Sequence, residues 1–233
     1  MRDTSGSTQL AGRTGTRRAG RIGACIAAVA AAVLMTAAPA QAATPAALVA
    51  RTLVSPADIP VTFRVVPPRD GWQGDATVDA ICAPKATTER FRRARQVLAV
   101  VTGQETMDSP SALQEVVAYD TAARATLAMK EWRAAGVRCA TFTFTIFGTT
   151  YTSKSAPMRS DASLPVTDNT VETTTMTSSL KGDPPGLQFV VVQRHGQVLN
   201  VVRGYGSLRD KERVIRNTMR IARNTGRRQA TGR

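Results

Sequence analysis

Apolar positions along the chain alternate between helical and strand spacings, which predicts a mixed α+β fold. An amphipathic segment over Pro45 to Leu53 is followed at residues 55–60 by Ser-Pro-Ala-Asp-Ile-Pro, where two prolines indicate a turn. Val61 to Val66 then has the pattern of an extended strand, and Ala86 to Gln96 is predicted to be helical.

The most regular helical pattern follows a predicted strand over Leu113 to Tyr119. Asp120 is placed to cap this helix, and Gly136 is placed to end it. Between them, apolar residues recur at spacings of three and four: Ala122, Ala125, Met129 and Trp132. We expect this face to enter the core, with Trp132 as its largest anchor.

Two further strands lie on either side of a polar stretch at residues 148–170, to which the pattern assigns no structure. In the first strand, Phe142, Phe144 and Ile146 alternate with threonines, which is typical of a half-buried strand. The second strand, Val171 to Ser178, is rich in threonine, and we expect its outward face to be solvated.

Leu187 to Gly204 predicts a β-hairpin with His195 and Gly196 as its two-residue turn. That turn places Val192 opposite Leu199, and both faces of the hairpin are mostly apolar. Two interpretations remain open: the hairpin is central and covered on both sides, or one face of it lines a ligand cleft.

A final helix is predicted from Ser207, which forms a capping-box-like start with Asp210. Its apolar residues fall within an arc of about 160° that can dock on the sheet. A second arc carries five arginines, which we call the arginine stripe: Arg209, Arg213, Arg216, Arg220 and Arg223. After Asn224 the chain offers little to bury, so residues 225–233 are predicted to form a disordered basic tail.

The N-terminal segment has the order of a secretory signal peptide, with arginines before an apolar run and small residues after it. The run from Ala24 to Ala38 is shorter than the roughly 20 apolar residues that a spanning helix needs. We expect cleavage between Ala42 and Ala43, which leaves a secreted, extracellular chain without an integral membrane span. Arg17 and Arg18 leave the twin-arginine route open as an alternative to general secretion.

Removal of the signal peptide leaves two cysteines, Cys82 and Cys139, in an oxidising environment. One disulfide is therefore expected, which would stabilise the fold by roughly 4 kcal/mol in the chain-entropy model, and two buried thiols are the alternative. No cluster of Cys and His indicates a metal site. The sequence thus predicts one α+β domain over residues 43–224, a twisted antiparallel sheet with helices mainly on one face and one disulfide.

The basic charge is concentrated at the C-terminus. The chain carries 31 Lys and Arg against 17 Asp and Glu, and the first 42 residues hold five Arg and one Asp. From Arg209 onward there are nine basic and two acidic residues. This distribution argues against a nucleic-acid surface spread over the domain, although an anionic polymer could bind the arginine stripe.

Several of these segments together resemble the PknH-like extracellular sensor domain. The resemblance is carried by the strand at Leu113 to Tyr119, the helix ending in Glu131-Trp132-Arg133 and the following Cys139. The segment at residues 53–60, the hairpin and the last helix extend it over most of Leu48 to Arg223. It implies an antiparallel sheet with helices on one side and a ligand-binding cleft.

The chain also departs from that family. The kinase-linked form has two disulfides and a membrane anchor, whereas this sequence offers two cysteines after cleavage and no spanning segment. The resemblance is therefore to a freestanding exported member, and we expect no direct signalling to a fused kinase.

Motifs of catalysis are absent from the sequence after residue 42. His195 is the only histidine, and there is no nucleophile elbow, zinc-protease motif or phosphate loop. We expect a protein that is not an enzyme, needs no cofactor and binds an unidentified small molecule or component of the bacterial cell envelope. The alternatives are a basic protein that adheres to anionic wall polymer or lipid headgroups through its last helix, and an unrecognised hydrolase.

Overall fold

The computed structural model describes residues 43–66, 86–103, 111–146 and 148–231. The predicted signal peptide and Cys82 lie outside these ranges. Three α-helices are described: α1 (Pro45–Thr52), α2 (Ala122–Arg138) and α3 (Lys211–Thr231). The strands are β1 (Phe63–Val66), β2 (Arg92–Thr102), β3 (Ala112–Tyr119), β4 (Thr141–Ile146), β5 (Thr149–Ser155), β6 (Asn169–Ser178), β7 (Gly186–His195) and β8 (Val198–Ser207).

The eight strands form one antiparallel sheet in the order β1-β2-β3-β8-β7-β6-β5-β4. This confirms the predicted α+β class with an antiparallel sheet. The hairpin of β7 and β8 is central, and both of its faces are apolar, so both must be covered. None of the helices in the described ranges is long and apolar enough to cross a membrane.

Helices cover both faces of the sheet, rather than mainly one face as the sequence predicted. Val191 and Val202 belong to the core that α3 completes with Val214 and Met219. The alternate residues of the same strands belong to a second core completed by α2, which contains Val190, Val192, Leu199, Val201, Ala128 and Met129. The helix α1 packs on the α3 side, against Val116 and Ala118 of β3.

The predicted helix over Ala86 to Gln96 was wrong. A short 3₁₀ turn at Thr87–Phe91 is followed at once by β2, which pairs with β1 on one side and β3 on the other. Residues Val97 to Val101 are all buried, so both faces of this part of β2 are covered. This explains why its sequence is continuously apolar and does not alternate. The polar stretch without assigned structure contains the strand β5.

The hairpin forms where it was predicted, but its register differs by two residues. Gly196 and Gln197 form the turn, so His195 pairs with Val198 and Val192 pairs with Val201. Gly196 has a φ of 55°, which a glycine adopts without the steric cost of a Cβ atom. A shift of two keeps every side chain on its predicted face.

The predicted disordered tail is helical as far as Thr231. Thr225 and Gln229 are buried, and Gln229 donates to the carbonyl of Val198 at 3.0 Å. Arg228 forms an ion pair with the buried Asp58 at 2.7 Å. Polar contacts therefore hold this end of α3, and the apolar pattern that ends near Asn224 gives no sign of them.

Candidate ligand-binding cleft

A half-open cavity of about 300 Å³, which we call the cleft, lies beside the C-terminal half of α2. The helix packs on β3, β8 and β7, while β6, β5 and β4 extend the same face of the sheet beyond it. The lining is mixed: Trp132, Ala135, Gly136, Cys139, Phe142, Phe144, Ser153, Ser155, Met158, Glu172, Thr174, Met176, Gln188, Val190 and Arg203. Three residues of the hairpin, Gln188, Val190 and Arg203, line this cavity, and its use as a ligand cleft stays a prediction.

Three stacked rings, Phe142, Phe144 and Tyr151, form what we call the aromatic wall. Phe142 and Phe144 alternate along β4 and so point to the same face, with ring centroids 5.7 Å apart. Tyr151 of β5 pairs with Phe144, and these two centroids are 5.4 Å apart. All three rings are only partly buried, which leaves aromatic surface open at the edge of the sheet.

Trp132 is only in part the core anchor that the sequence predicted. Its ring packs against the core under α2, but the side chain remains partly exposed and lines the cleft. The Nε1 atom is buried and has no hydrogen-bond acceptor in the described part of the chain. A buried donor of this kind costs free energy until an acceptor reaches it.

Glu172 places a carboxyl group in the cleft. It pairs with Val190, so it shares the α2 face of the sheet with that residue. Burial raises the pKa of the Glu172 carboxyl, while a hydrogen bond from Ser155 acts in the opposite direction. Within the described residues no basic side chain forms an ion pair with Glu172, so its ionised form lacks a compensating charge.

Arg203 is the basic side chain of the cleft, and it shares the carboxylate of Glu115 with Arg95. Its Nη1 lies 3.1 Å from Oε2 of Glu115, and Nε of Arg95 lies 2.6 Å from Oε1 of the same carboxylate. Burial acts to raise the pKa of Glu115, but the charges of Arg203 and Arg95 outweigh it and hold that pKa below its usual range. The Arg203 guanidinium also lies 5.3 Å from the centroid of the Trp132 ring.

Four members of the arginine stripe lie on α3, and Arg209 lies in the 3₁₀ turn directly before it. The helix packs on the face of the sheet opposite the cleft. Arg213 forms an ion pair with Asp210 at 3.2 Å, and Arg223 donates to the hydroxyl of Ser163 at 2.9 Å. The other three members are exposed and form no ion pair within the described residues: Arg209, Arg216 and Arg220. The structure therefore separates the stripe from the cleft.

The other predicted site residues lie in different places. His195 is exposed at the end of β7, away from the residues that line the cleft. Cys139 is buried and lines the cleft, but its predicted partner Cys82 lies outside the described residues, so the disulfide is not shown and stays a prediction. No group of three or more potential metal ligands is found among the described residues.

Sequence reasoning did not identify Glu172 or Arg203 as site residues. Glu172 is the one acidic residue of a strand otherwise rich in threonine, and Arg203 interrupts the apolar pattern of β8. Each is a charge on the face that α2 covers, but that face becomes known only once α2 is placed on the sheet.

No family model matches the chain, and no curated protein matches it. Among solved structures, the chain is similar to the crystal structure of the extracellular domain of PknH from Mycobacterium tuberculosis, with 17% identity and a TM-score of 0.44. The match covers 61% of this chain and 68% of that one. A likeness of this strength carries no argument about function, so membership of the PknH-like family stays a hypothesis.

Proposed function

We propose that this chain is a noncatalytic extracellular binding module of the bacterial cell envelope, with its ligand held in the cleft beside α2. One observation carries the proposal: the cleft combines open aromatic surface with the Glu172 carboxyl group, which has no ion-pair partner among the described residues. Trp132, whose buried Nε1–H has no acceptor among the described residues, lines the same cavity. A concave, largely apolar site with a few converging polar groups is the usual form of a small-molecule site.

Binding is favoured over catalysis by the titratable groups that line the cleft. Apart from Cys139, these are Glu172 and Arg203, and the Arg203 charge is shared with Glu115. Nucleophilic catalysis needs a nucleophile within hydrogen-bonding reach of a base. Ser155 does donate to Glu172, but its hydroxyl also lies 2.8 Å from that of Thr174 within the Thr-rich sheet surface, which suits a structural contact.

Methionine methyl groups offer a direct test of the proposed site. Met158 and Met176 line the cleft, whereas Met219 lies in the core under α3 on the opposite face of the sheet. Protein secreted by a bacterial host, with labelled methionine methyl groups, would be titrated with fractionated envelope extracts and followed by NMR. We expect an active fraction to shift the Met158 and Met176 signals and to leave the Met219 signal unchanged.

The same titration can also contradict the proposed site. If no envelope fraction shifts the two cleft methionines, or if fractions shift only Met219, the proposed site is wrong. A fraction that is chemically converted while it binds would instead favour the hydrolase alternative.

A further inference from the structure

We propose that the cleft takes an organic ammonium group, held between the Glu172 carboxylate and the aromatic rings that line the same cavity. This inference rests on the proposed function, because it names the ligand chemistry of the same cleft. The inference is narrower than the proposed function, because a binding cleft could also take a neutral or an anionic ligand.

Glu172 brings a carboxyl group into the cleft without an ion-pair partner. Glu172 is the acidic side chain of the lining, and it forms no ion pair with the described residues. The basic side chain of the lining, Arg203, is paired with Glu115 at 3.1 Å. A partly buried carboxylate without a partner is costly, so an incoming cation supplies the charge that the fold leaves out.

Aromatic rings line the same cavity as this carboxyl group. The faces of aromatic rings attract cations, and desolvated sites of this kind recognise quaternary ammonium groups. Phe142 and Phe144 present such rings to the cleft from β4, and Trp132 does so from α2. A carboxylate with aromatic rings around it suits an ammonium group better than it suits an anion.

A polar side chain in the cavity suits the part of the ligand next to the ammonium group. The amide of Gln188 lines the same cavity and is able to donate a hydrogen bond. An oxygen atom close to the ammonium group would accept that hydrogen bond. The ligand class is therefore an amino alcohol or a headgroup built like one.

Choline and its neutral analogue 3,3-dimethylbutan-1-ol form a matched pair of probes, because they differ mainly in the charged nitrogen atom. The secreted protein with labelled methionines would be titrated with each probe, with binding read from the Met158 and Met176 signals. We expect choline to bind at least about tenfold more tightly than the alcohol, as a desolvated cation–π and ion-pair contact provides. Equal affinity for the two probes, or no binding of choline, would overturn the inference.

A pair of acidic variants tests the role of the carboxyl group. Glu172→Gln removes the cleft charge, whereas the control Glu212→Gln removes an exposed charge from α3. We expect the first variant to lose at least about tenfold in choline affinity and the second to bind as the wild type does. Unchanged choline binding by Glu172→Gln would contradict the inference, and the comparison of two probes on the wild type does not depend on any variant folding.

A further arm distinguishes a free amine from a lipid headgroup. Phosphatidylcholine vesicles and soluble choline would be compared at the same choline concentration. Preferential binding to vesicles assigns the site to a headgroup, and preferential binding to soluble choline assigns it to a free amine. If an envelope fraction shifts the cleft methionines while neither choline form binds, the ammonium inference fails and the proposed function stands.

Discussion

At the scale of single residues, two carboxyl groups on the α2 face of the sheet have opposite pKa shifts because their neighbours differ. Glu115 lies between two guanidinium groups, which hold its pKa below the usual range against the effect of burial. Glu172 is partly buried without an ion-pair partner among the described residues, and burial raises its pKa. The fold therefore compensates the first charge, whereas the described residues supply no cation for the second.

Replacement of Glu115 by Gln is expected to destabilise the protein by about 3 to 5 kcal/mol, because two guanidinium groups lose their carboxylate in a buried site. The contribution of Glu115 is present above the usual carboxyl pKa and is lost as pH falls through its lowered folded-state pKa. Urea unfolding at neutral pH measures the change, with the exposed Glu212→Gln as control. If the free energy of unfolding fell by less than about 1 kcal/mol, other groups would compensate the charges of Arg95 and Arg203.

The Glu172→Gln variant is expected to behave in the opposite way. Because the folded-state pKa of Glu172 is raised, the wild type loses stability as pH rises through that pKa, and the neutral variant does not. Between about pH 4 and pH 8, the difference in free energy of unfolding should therefore move in favour of the variant. Urea titrations across this range measure the difference, and a change in favour of the wild type would mean that Glu172 has a cationic partner in the folded protein.

At the scale of elements, predictions succeeded where apolar spacing alone decides the structure. The strands β3 and β4 and the helix α2 form close to where their patterns predicted them. The ends of α2 differ, because Thr121 caps it in place of Asp120 and the helix continues past Gly136 to Arg138. The segment Ala86 to Gln96 contains residues that favour helices, but from Arg92 onward pairing with β3 overrides that local preference. The cleft could not be predicted either, because only the order of the strands brings Glu172 and Trp132 to the same cavity.

The end of α3 shows how polar contacts can extend an element beyond its apolar pattern. Arg228 donates to both carboxylate oxygens of Asp58, at 2.7 and 2.8 Å, and to the carbonyl oxygen of Leu53. Thr225 accepts a hydrogen bond from the buried Asn200 at 2.9 Å. These contacts tie the last turns of the helix to β8 and to the segment that follows α1.

Arg228→Ala is expected to destabilise the protein by about 2 kcal/mol, because the buried carboxylate of Asp58 loses its charged donor. The neighbouring Arg227 is exposed, so Arg227→Ala is a matched control that should change stability by less than about 0.5 kcal/mol. Thermal and urea unfolding of both variants measure the difference. If Arg228→Ala changed stability as little as Arg227→Ala does, the ion pair at the end of α3 would contribute little to the fold.

At the scale of the whole molecule, the cleft and the arginine stripe lie on opposite faces of the sheet, so their roles can be tested separately. The exposed members Arg209, Arg216 and Arg220 form no ion pair within the described residues. Like charges three and four residues apart on a helix repel each other. An anionic surface would relieve that repulsion, since the planar guanidinium group suits phosphate and carboxylate.

Changing Arg209, Arg216 and Arg220 together to Gln is expected to weaken retention on purified cell wall at low salt and to leave choline binding in the cleft unchanged. The control changes Arg138, Lys154 and Lys181 to Gln, which removes the same net charge from exposed positions outside α3. The difference between these variants should shrink at moderate salt, because screening confines charge interactions to about 8 Å at physiological ionic strength. Equal losses in the two variants would make retention a property of net charge, and unchanged retention would make the stripe an ordinary solvated surface.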